Sequence, residues 1–230
     1  MKIGFDKVFC ISYCRNIQKQ NNVRKVMKYL DIDFEFIYGA DYSNMNIFKH
    51  PDFYFRNGPN ELREERFEYY THFIGASYDH YTAVINAYES GANSVLIFED
   101  DCKFINDVKY IEYNLNHWPK DAEFIKFGYH NWCYLKLKDE FINAMKKHKS
   151  CYLRNSVKDL SLDFIGSQMY GLTNRSVMER YIGAQKSDFS CCDGLHFVFN
   201  CYGLVKPIAV DEKMVWEDED LNLYNLLENI

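Results

Sequence analysis

The stretch Val95-Leu96-Ile97-Phe98-Glu99-Asp100-Asp101 decides the fold of this chain. Its first four residues form an uninterrupted apolar run, which is typical of a buried strand in the middle of a parallel sheet. That run passes directly into three adjacent acids. Because neighbouring carboxylates repel one another and are costly to desolvate, a stable fold leaves them solvated or neutralises them with a cation.

A strand, a helix and a second strand precede this stretch. Residues 7–12 are apolar and rich in β-forming types, and residues 34–38 form a similar run that ends at Gly39. Between them, one buried helix face is indicated by the spacing of Val23, Val26, Met27 and Leu30. This βαβ opening predicts an α/β fold with a mostly parallel central sheet flanked by helices.

The rest of the chain continues the alternation, and its 230 residues fit one domain, 1–230. Helices are predicted from Ser77 to Gly91, at 107–116, from Asn174 to Ile182, and from Asp193 to Asn200. Further strands are predicted at 123–127, 164–172 and 204–210.

Two segments interrupt this pattern. Residues 43–72 are polar and aromatic, and a connection this long is a surface excursion or a lid over a substrate, with room for a short helix around 60–70. The C-terminal tail, 218–230, carries several leucines and is a candidate for docking on its own domain or on a partner subunit as a homo-oligomer.

Composition excludes several classes of protein. The formal charge of −6 gives no basic field for a nucleic acid. No segment approaches the roughly 20 apolar residues of a transmembrane span, so we expect a protein in the cytoplasm of the producing cell, bacterial or virus-infected. The 8 cysteines include no CxxC pair, which favours reduced thiols over structural zinc.

The acidic triplet is a candidate metal site at the sheet edge where α/β proteins bind ligands. Alternation in an extended segment would send Glu99 and Asp101 to one side and Asp100 to the other. Carboxylates suit Mg²⁺ or Mn²⁺, and both ions commonly bridge diphosphates, which points to a nucleotide-linked substrate. The alternative is a solvated turn or a helix start.

The order of these parts resembles glycosyltransferase family 25, the lipooligosaccharide and collagen galactosyltransferase group. The similar segments are 8–12 followed by Arg15-Asn16, then Gly75 to His80, then Val95 to Asp101, with weaker matches at 124–128, 166–172 and 193–194. Together they span roughly residues 7–210. The Gly75-to-His80 segment upstream of the acidic strand is the most specific of them.

This resemblance implies a single GT-A (Rossmann-like) domain that moves a sugar from a nucleotide-sugar donor, such as a UDP-linked one, to a hydroxyl of a glycan or other acceptor with inversion. It implies that Asp101 binds the metal and that Glu99 faces the ribose or a metal-bound water. The other donor-binding residues that it implies are Ser12, Tyr13, Arg15, Tyr38, Gly39, Ala40, His80 and Asp100.

An inverting transfer needs a base that takes the acceptor's proton, whereas the metal stabilises the departing diphosphate. Asp193 is the candidate base, with a helix N-cap as its alternative role and Asp163 as an alternative base. His196, one turn further on, is a candidate metal ligand or a partner of one, or else a packed core residue.

Other interpretations remain open at the level of sequence. His80 lies near the diphosphate or organises the start of its helix, and Arg15 contacts phosphate or is a solvated charge. Trp118 and Trp132 stack on a sugar or pack in the core. A catalytically inactive nucleotide-sugar or glycan-binding module of the same fold is the alternative function. A nucleotidyltransferase is disfavoured because no Gly-rich phosphate loop follows the first strand.

Overall fold

A computed structural model describes residues 1–39, 67–104, 107–128, 152–154, 166, 168–187, 198–204 and 207–211. The helices within these residues are α1 (Ile17–Leu30), α2 (Phe67–Glu89), α3 (Val108–Asn114) and α4 (Arg175–Ser187). The strands are β1 (Lys7–Tyr13), β2 (Glu35–Gly39), β3 (Val95–Glu99), β4 (Cys102–Phe104), β5 (Phe124–Gly128), β6 (Tyr152–Arg154), β7 (Met169–Leu172), β8 (Cys201–Leu204) and β9 (Ala209–Asp211).

The strands form one mixed sheet, ordered β2-β1-β3-β7-β5-β8-β6, with β9 joining β4 to β5. Strand β1 is parallel to β2 and β3, and β5 is parallel to β8. Strand β7 runs antiparallel to both β3 and β5, and β6 runs antiparallel to β8. The predicted α/β character is confirmed. The sheet is mixed because β7 runs antiparallel to its neighbours, and the short apolar run of β7 gave no indication of that direction in the sequence.

The strand order reverses at β1. From β1 the chain passes through α1 to β2 on one side, and then through α2 to β3 on the other. Helix α1 packs through Val23, Met27 and Leu30 on the sheet face that holds Val8, Cys10, Leu96 and Phe98. Helix α2 packs through Ala83, Val84 and Ala87 on the opposite face, with Phe9, Ile11, Val95 and Ile97. In α/β sheets such a reversal is where ligands bind, in a crevice at the carboxyl ends of the strands. We call this edge of the sheet, at the carboxyl ends of β1 and β3, the crevice.

Helix α2 is longer than the sequence predicted. It begins at Phe67, and Ser77, where the predicted helix began, lies inside it and is fully buried. The prediction was wrong because a serine signals a helix start only when the residues before it leave the helix, and here the residues before Ser77 are already helical. The last six residues of the predicted loop 43–72 belong to this helix.

The predicted strand 204–210 is two strands. Strand β8 ends at Leu204, and β9 begins at Ala209, after Pro207. Proline has no N–H to donate to a ladder, so it separates the two pairings. No described helix is long and apolar enough to cross a membrane. The predictions for residues 43–66 and for the tail 218–230 lie outside the described residues.

Close packing at the centre of the sheet predicts opposite effects for two glycines. A methyl group on Gly171 would overlap the Phe5 ring, which stacks on Trp118 at 4.8 Å between centroids. Gly171→Ala should therefore lower the free energy of unfolding by about 1–3 kcal/mol. Gly183→Ala, in the interior of α4 with nothing within 4 Å, should raise it by about 0.5–1 kcal/mol. Urea unfolding measures both, and equal effects would contradict the tight packing at Phe5.

Candidate functional site

The carboxyl ends of β1 and β3 are joined through Asp100. Ser12 Oγ donates to Asp100 Oδ2 at 2.7 Å, and Asn16 Nδ2 donates to the same oxygen at 3.3 Å. The backbone N–H of Asp100 donates to the carbonyl of Ile11 at 2.9 Å. Because β1 and β3 are parallel neighbours, their last residues arrive at one edge, and Asp100 is fixed there by contacts to both its backbone and its side chain.

The turn between β1 and α1 supplies a hydrogen-bond donor to the Asp100 carboxylate. Asn16 occupies the N-cap position of α1 but makes no capping hydrogen bond with its side chain. Its amide instead donates to Asp100. The buried Gln20 holds the turn from behind, since its amide donates to the carbonyl of Tyr13 at 3.0 Å. A polar residue that would normally cap the helix is thus used at the edge of the sheet.

Lys19, on the first turn of α1, brings a positive charge to the acids. Its ammonium lies 3.8 Å from Asp100 Oδ1 and 3.6 Å from Asp101 Oδ2. All three side chains are largely shielded from solvent. Two carboxylates therefore converge on one cationic position, and the sequence had given Lys19 no role.

Glu99 belongs to the opposite face of the sheet. Its Oε1 lies 3.1 Å from His80 Nε2, and His80 Nδ1 lies 3.0 Å from the hydroxyl of Tyr170. His80 is fully buried in the middle of α2. Of the two roles predicted for His80, organising the helix start does not agree with this position, and its contact is with Glu99.

The acidic triplet is arranged differently from the expected alternation. Glu99 and Asp100 do lie on opposite faces, and Asp101 lies with Asp100 against Lys19. The reason is that β3 ends at Glu99 and the next two residues form a turn. A period of two holds only while the backbone stays extended. Asp100 therefore lies against Ser12 and Asn16 at the edge of the sheet.

Two cysteines lie close enough to these acids for their pKa values to be affected. Burial raises the pKa of the Cys10 thiol, and the nearby Asp100, Glu99 and Asp101 raise it further. Burial and Asp101 likewise raise the pKa of Cys102, whose thiol donates to the Gln168 carbonyl at 2.8 Å. Both thiols stay protonated at neutral pH, so neither is an activated nucleophile.

The predicted donor-binding residues of β1 and β2 reach the same edge. Ser12 pairs with Tyr38 and Tyr13 with Gly39 across the parallel ladder. Tyr13, Arg15 and Tyr38 are exposed, and the Tyr38 ring stacks on Phe36 with centroids 5.6 Å apart. Trp118 packs against the core, in agreement with its packing role. The predicted residues Ala40, Trp132, Asp163, Asp193 and His196 lie outside the described residues.

The carboxylate oxygens of the crevice are suitable ligands for a hard divalent cation. Asp100 and Asp101 offer carboxylate oxygens at one position, and Mg²⁺ is typically bound by one or two carboxylates together with phosphates and water. Among the described residues, no group of three or more His, Cys, Asp or Glu side chains is placed to hold a metal. Of the described residues, Asp100 and Asp101 are the pair that would hold such an ion.

Sequence reasoning missed roles for Asn16, Lys19 and Tyr170. The roles of the first two could have been predicted, because Asn16 and Lys19 are one helical turn apart at the start of the helix that follows β1. A polar face on that first turn points to the edge where β1 ends. Tyr170 gave no comparable signal, since its apolar strand reads as ordinary core.

The contact between Ser12 and Asp100 predicts a stability loss on Ser12→Ala. Ser12 is almost fully buried, and removing a hydrogen bond to a carboxylate should lower the free energy of unfolding by about 1.5–3 kcal/mol. Ser187→Ala removes an exposed hydroxyl at the end of α4 and should change it by less than about 0.5 kcal/mol. Urea unfolding compares the two, and a Ser12→Ala variant as stable as its control would contradict the anchoring of Asp100.

Comparison with known proteins assigns no family to the chain. Neither a scan against models of protein families nor a search of curated proteins finds a match. Inferences about function therefore rest on the crevice and on the residues that form it.

Proposed function

We propose that the chain is a metal-dependent, inverting glycosyltransferase of the GT-A type. It would move a sugar from a nucleotide-sugar donor, such as a UDP-linked one, to a hydroxyl of a glycan or other acceptor. One observation carries the proposal: Asp100 and Asp101 converge on a single cationic position in the crevice between the carboxyl ends of β1 and β3. Mg²⁺ and Mn²⁺ favour such oxygen donors and commonly bridge diphosphates.

The surroundings of the aspartate pair suit a nucleoside diphosphate. Arg15 is exposed on the turn after β1, where a guanidinium would bind phosphate oxygens in a bidentate manner. Tyr13 and Tyr38 present exposed rings at the ends of neighbouring strands, where they would flank a base or ribose. Glu99 is partly open to solvent at the same edge and would accept a hydrogen bond from a donor hydroxyl.

The residues divide the work of an inverting transfer. Asp101 and Asp100 would hold Mn²⁺ or Mg²⁺, which would stabilise the negative charge of the departing diphosphate. Lys19 neutralises part of the charge on the pair. Asp193 would take the proton of the acceptor hydroxyl as the new glycosidic bond forms, and His196 would assist the metal site.

Donor hydrolysis tests this proposal directly. In Mn²⁺, the protein should slowly hydrolyse one member of a panel of nucleotide sugars, and EDTA should stop it. Asp101→Ala should weaken Mn²⁺-dependent nucleotide binding at least about tenfold, because the cation loses a carboxylate ligand. Asp33→Ala, which removes an exposed carboxylate before β2, is the matched control and should leave binding unchanged. Calorimetry measures both affinities.

Each other outcome of that experiment has a definite meaning. Absence of binding for every donor, with no effect of EDTA, would refute the glycosyltransferase. Donor binding without hydrolysis or transfer to any acceptor would instead identify an inactive nucleotide-sugar-binding module. Nucleotide affinity unchanged in Asp101→Ala would remove that residue from the metal site.

The role of Asp193 predicts a separation of binding from turnover. Asp193→Asn keeps the shape of the side chain but removes the base, so donor affinity should stay within about twofold while transfer falls by about 10²–10⁴-fold. Asp163→Asn is the matched comparison at the alternative base. Initial rates with saturating donor measure both variants, and normal turnover in Asp193→Asn would disqualify it as the base.

A further inference from the structure

A line of polar side chains runs through the apolar face beneath α2. Tyr170, in the central strand β7, is 1% exposed, and its hydroxyl lies 3.0 Å from His80 Nδ1. His80 is 0% exposed, and its Nε2 lies 3.1 Å from Glu99 Oε1. Glu99 is the member of the three that is partly open to solvent, with 25% of its side chain exposed. The line therefore leads from the core to the crevice edge.

The donor and acceptor capacities of the three groups determine which of them donates each hydrogen bond. An ionised carboxylate only accepts hydrogen bonds, so the proton between His80 and Glu99 belongs on Nε2. A neutral imidazole then leaves Nδ1 as an acceptor, and the Tyr170 hydroxyl donates to it. In a neutral His80 ring, this set of partners corresponds to the Nε2–H tautomer.

Packing holds the outer members of the line in place. The Tyr170 ring stacks on Phe124 with centroids 4.8 Å apart and planes 14° from parallel. The backbone N–H of Glu99 donates to the Gln168 carbonyl at 2.9 Å, so the backbone of Glu99 is fixed as well. Apolar residues of β3, α2 and α4 surround Tyr170. Buried polar groups in such surroundings are costly unless each is hydrogen-bonded, which favours one arrangement of the three.

We propose that Tyr170 and His80 are positioning residues that fix the Glu99 carboxylate in the orientation used to bind the nucleotide. This inference rests on the proposed function, since it assumes that Glu99 contacts the donor. Tyr170 acts through His80, and neither side chain touches the ligand.

A double-mutant cycle on Tyr170 and Glu99 tests the coupling, with UDP and Mn²⁺ as the probe in calorimetry. Tyr170→Phe should weaken UDP binding about three- to tenfold, the value of one buried hydrogen bond. In the Glu99→Gln background the same change should cost less than about twofold, because effects that act through one residue are not additive. Tyr152→Phe is the control: it removes a buried hydroxyl that donates to Asn114 at 2.9 Å, and UDP affinity should not change.

Nitrogen NMR of the His80 ring, assigned by the His80→Gln variant, tests the positioning without a ligand. The wild-type ring should show the Nε2–H tautomer. Its Nδ1 resonance should move in Tyr170→Phe and stay in Tyr152→Phe. An Nδ1–H tautomer, or an Nδ1 resonance indifferent to Tyr170, would overturn the inference.

The two proposals fail in different ways. If the wild-type protein binds no nucleotide in Mn²⁺, the proposed function falls, and with it the role of Tyr170 and His80 in binding. If UDP binds but the losses from Tyr170→Phe and Glu99→Gln are additive, Tyr170 does not act through Glu99 and this inference alone falls.

Discussion

The architecture of the crevice depends on the hydrogen bond between Ser12 and Asp100. Ser12 Oγ lies 2.7 Å from Asp100 Oδ2, and the bond links the carboxyl ends of β1 and β3 at the point where the strand order reverses. Helix α1 starts a short turn after β1, and its N-terminal residues Asn16 and Lys19 lie next to the acids. Parallel strands supply the edge, and the hydrogen bonds from Ser12 and Asn16 hold Asp100 there beside Asp101 and Lys19.

The sheet itself separates the three acids. Glu99 lies on the α2 face with His80, and Asp100 and Asp101 lie on the α1 face with Lys19. Repulsion between the first acid and the other two is thereby reduced, and each face supplies its own compensating group. His80 and Lys19 thus lie against different members of the triplet, one on each face of the sheet.

Much of the fold and of the candidate site could be predicted from sequence, and the parts that could not be predicted have physical causes. The apolar run before Glu99 and the periodic face of α1 indicate β3, α1 and the crevice edge, because local patterns specify local structure. The direction of β7 depends on tertiary pairing, and the pairing of Asp101 with Asp100 depends on where β3 ends. Tyr170 was missed because its polar atom is used only once α2 has packed against the sheet.

The ion pairs of the crevice bear on both stability and the proposed metal site. The Lys19 ammonium lies within 4 Å of both Asp100 and Asp101, so two carboxylates share this one positive charge. Each pair gains at most about 4 kcal/mol at the dielectric of a protein surface, and much less after solvent screening. In the proposed site, a divalent cation would add to the compensation that Lys19 gives to Asp100 and Asp101. An edge neutralised fully by the protein would be more stable, but it would have no electrostatic reason to bind one.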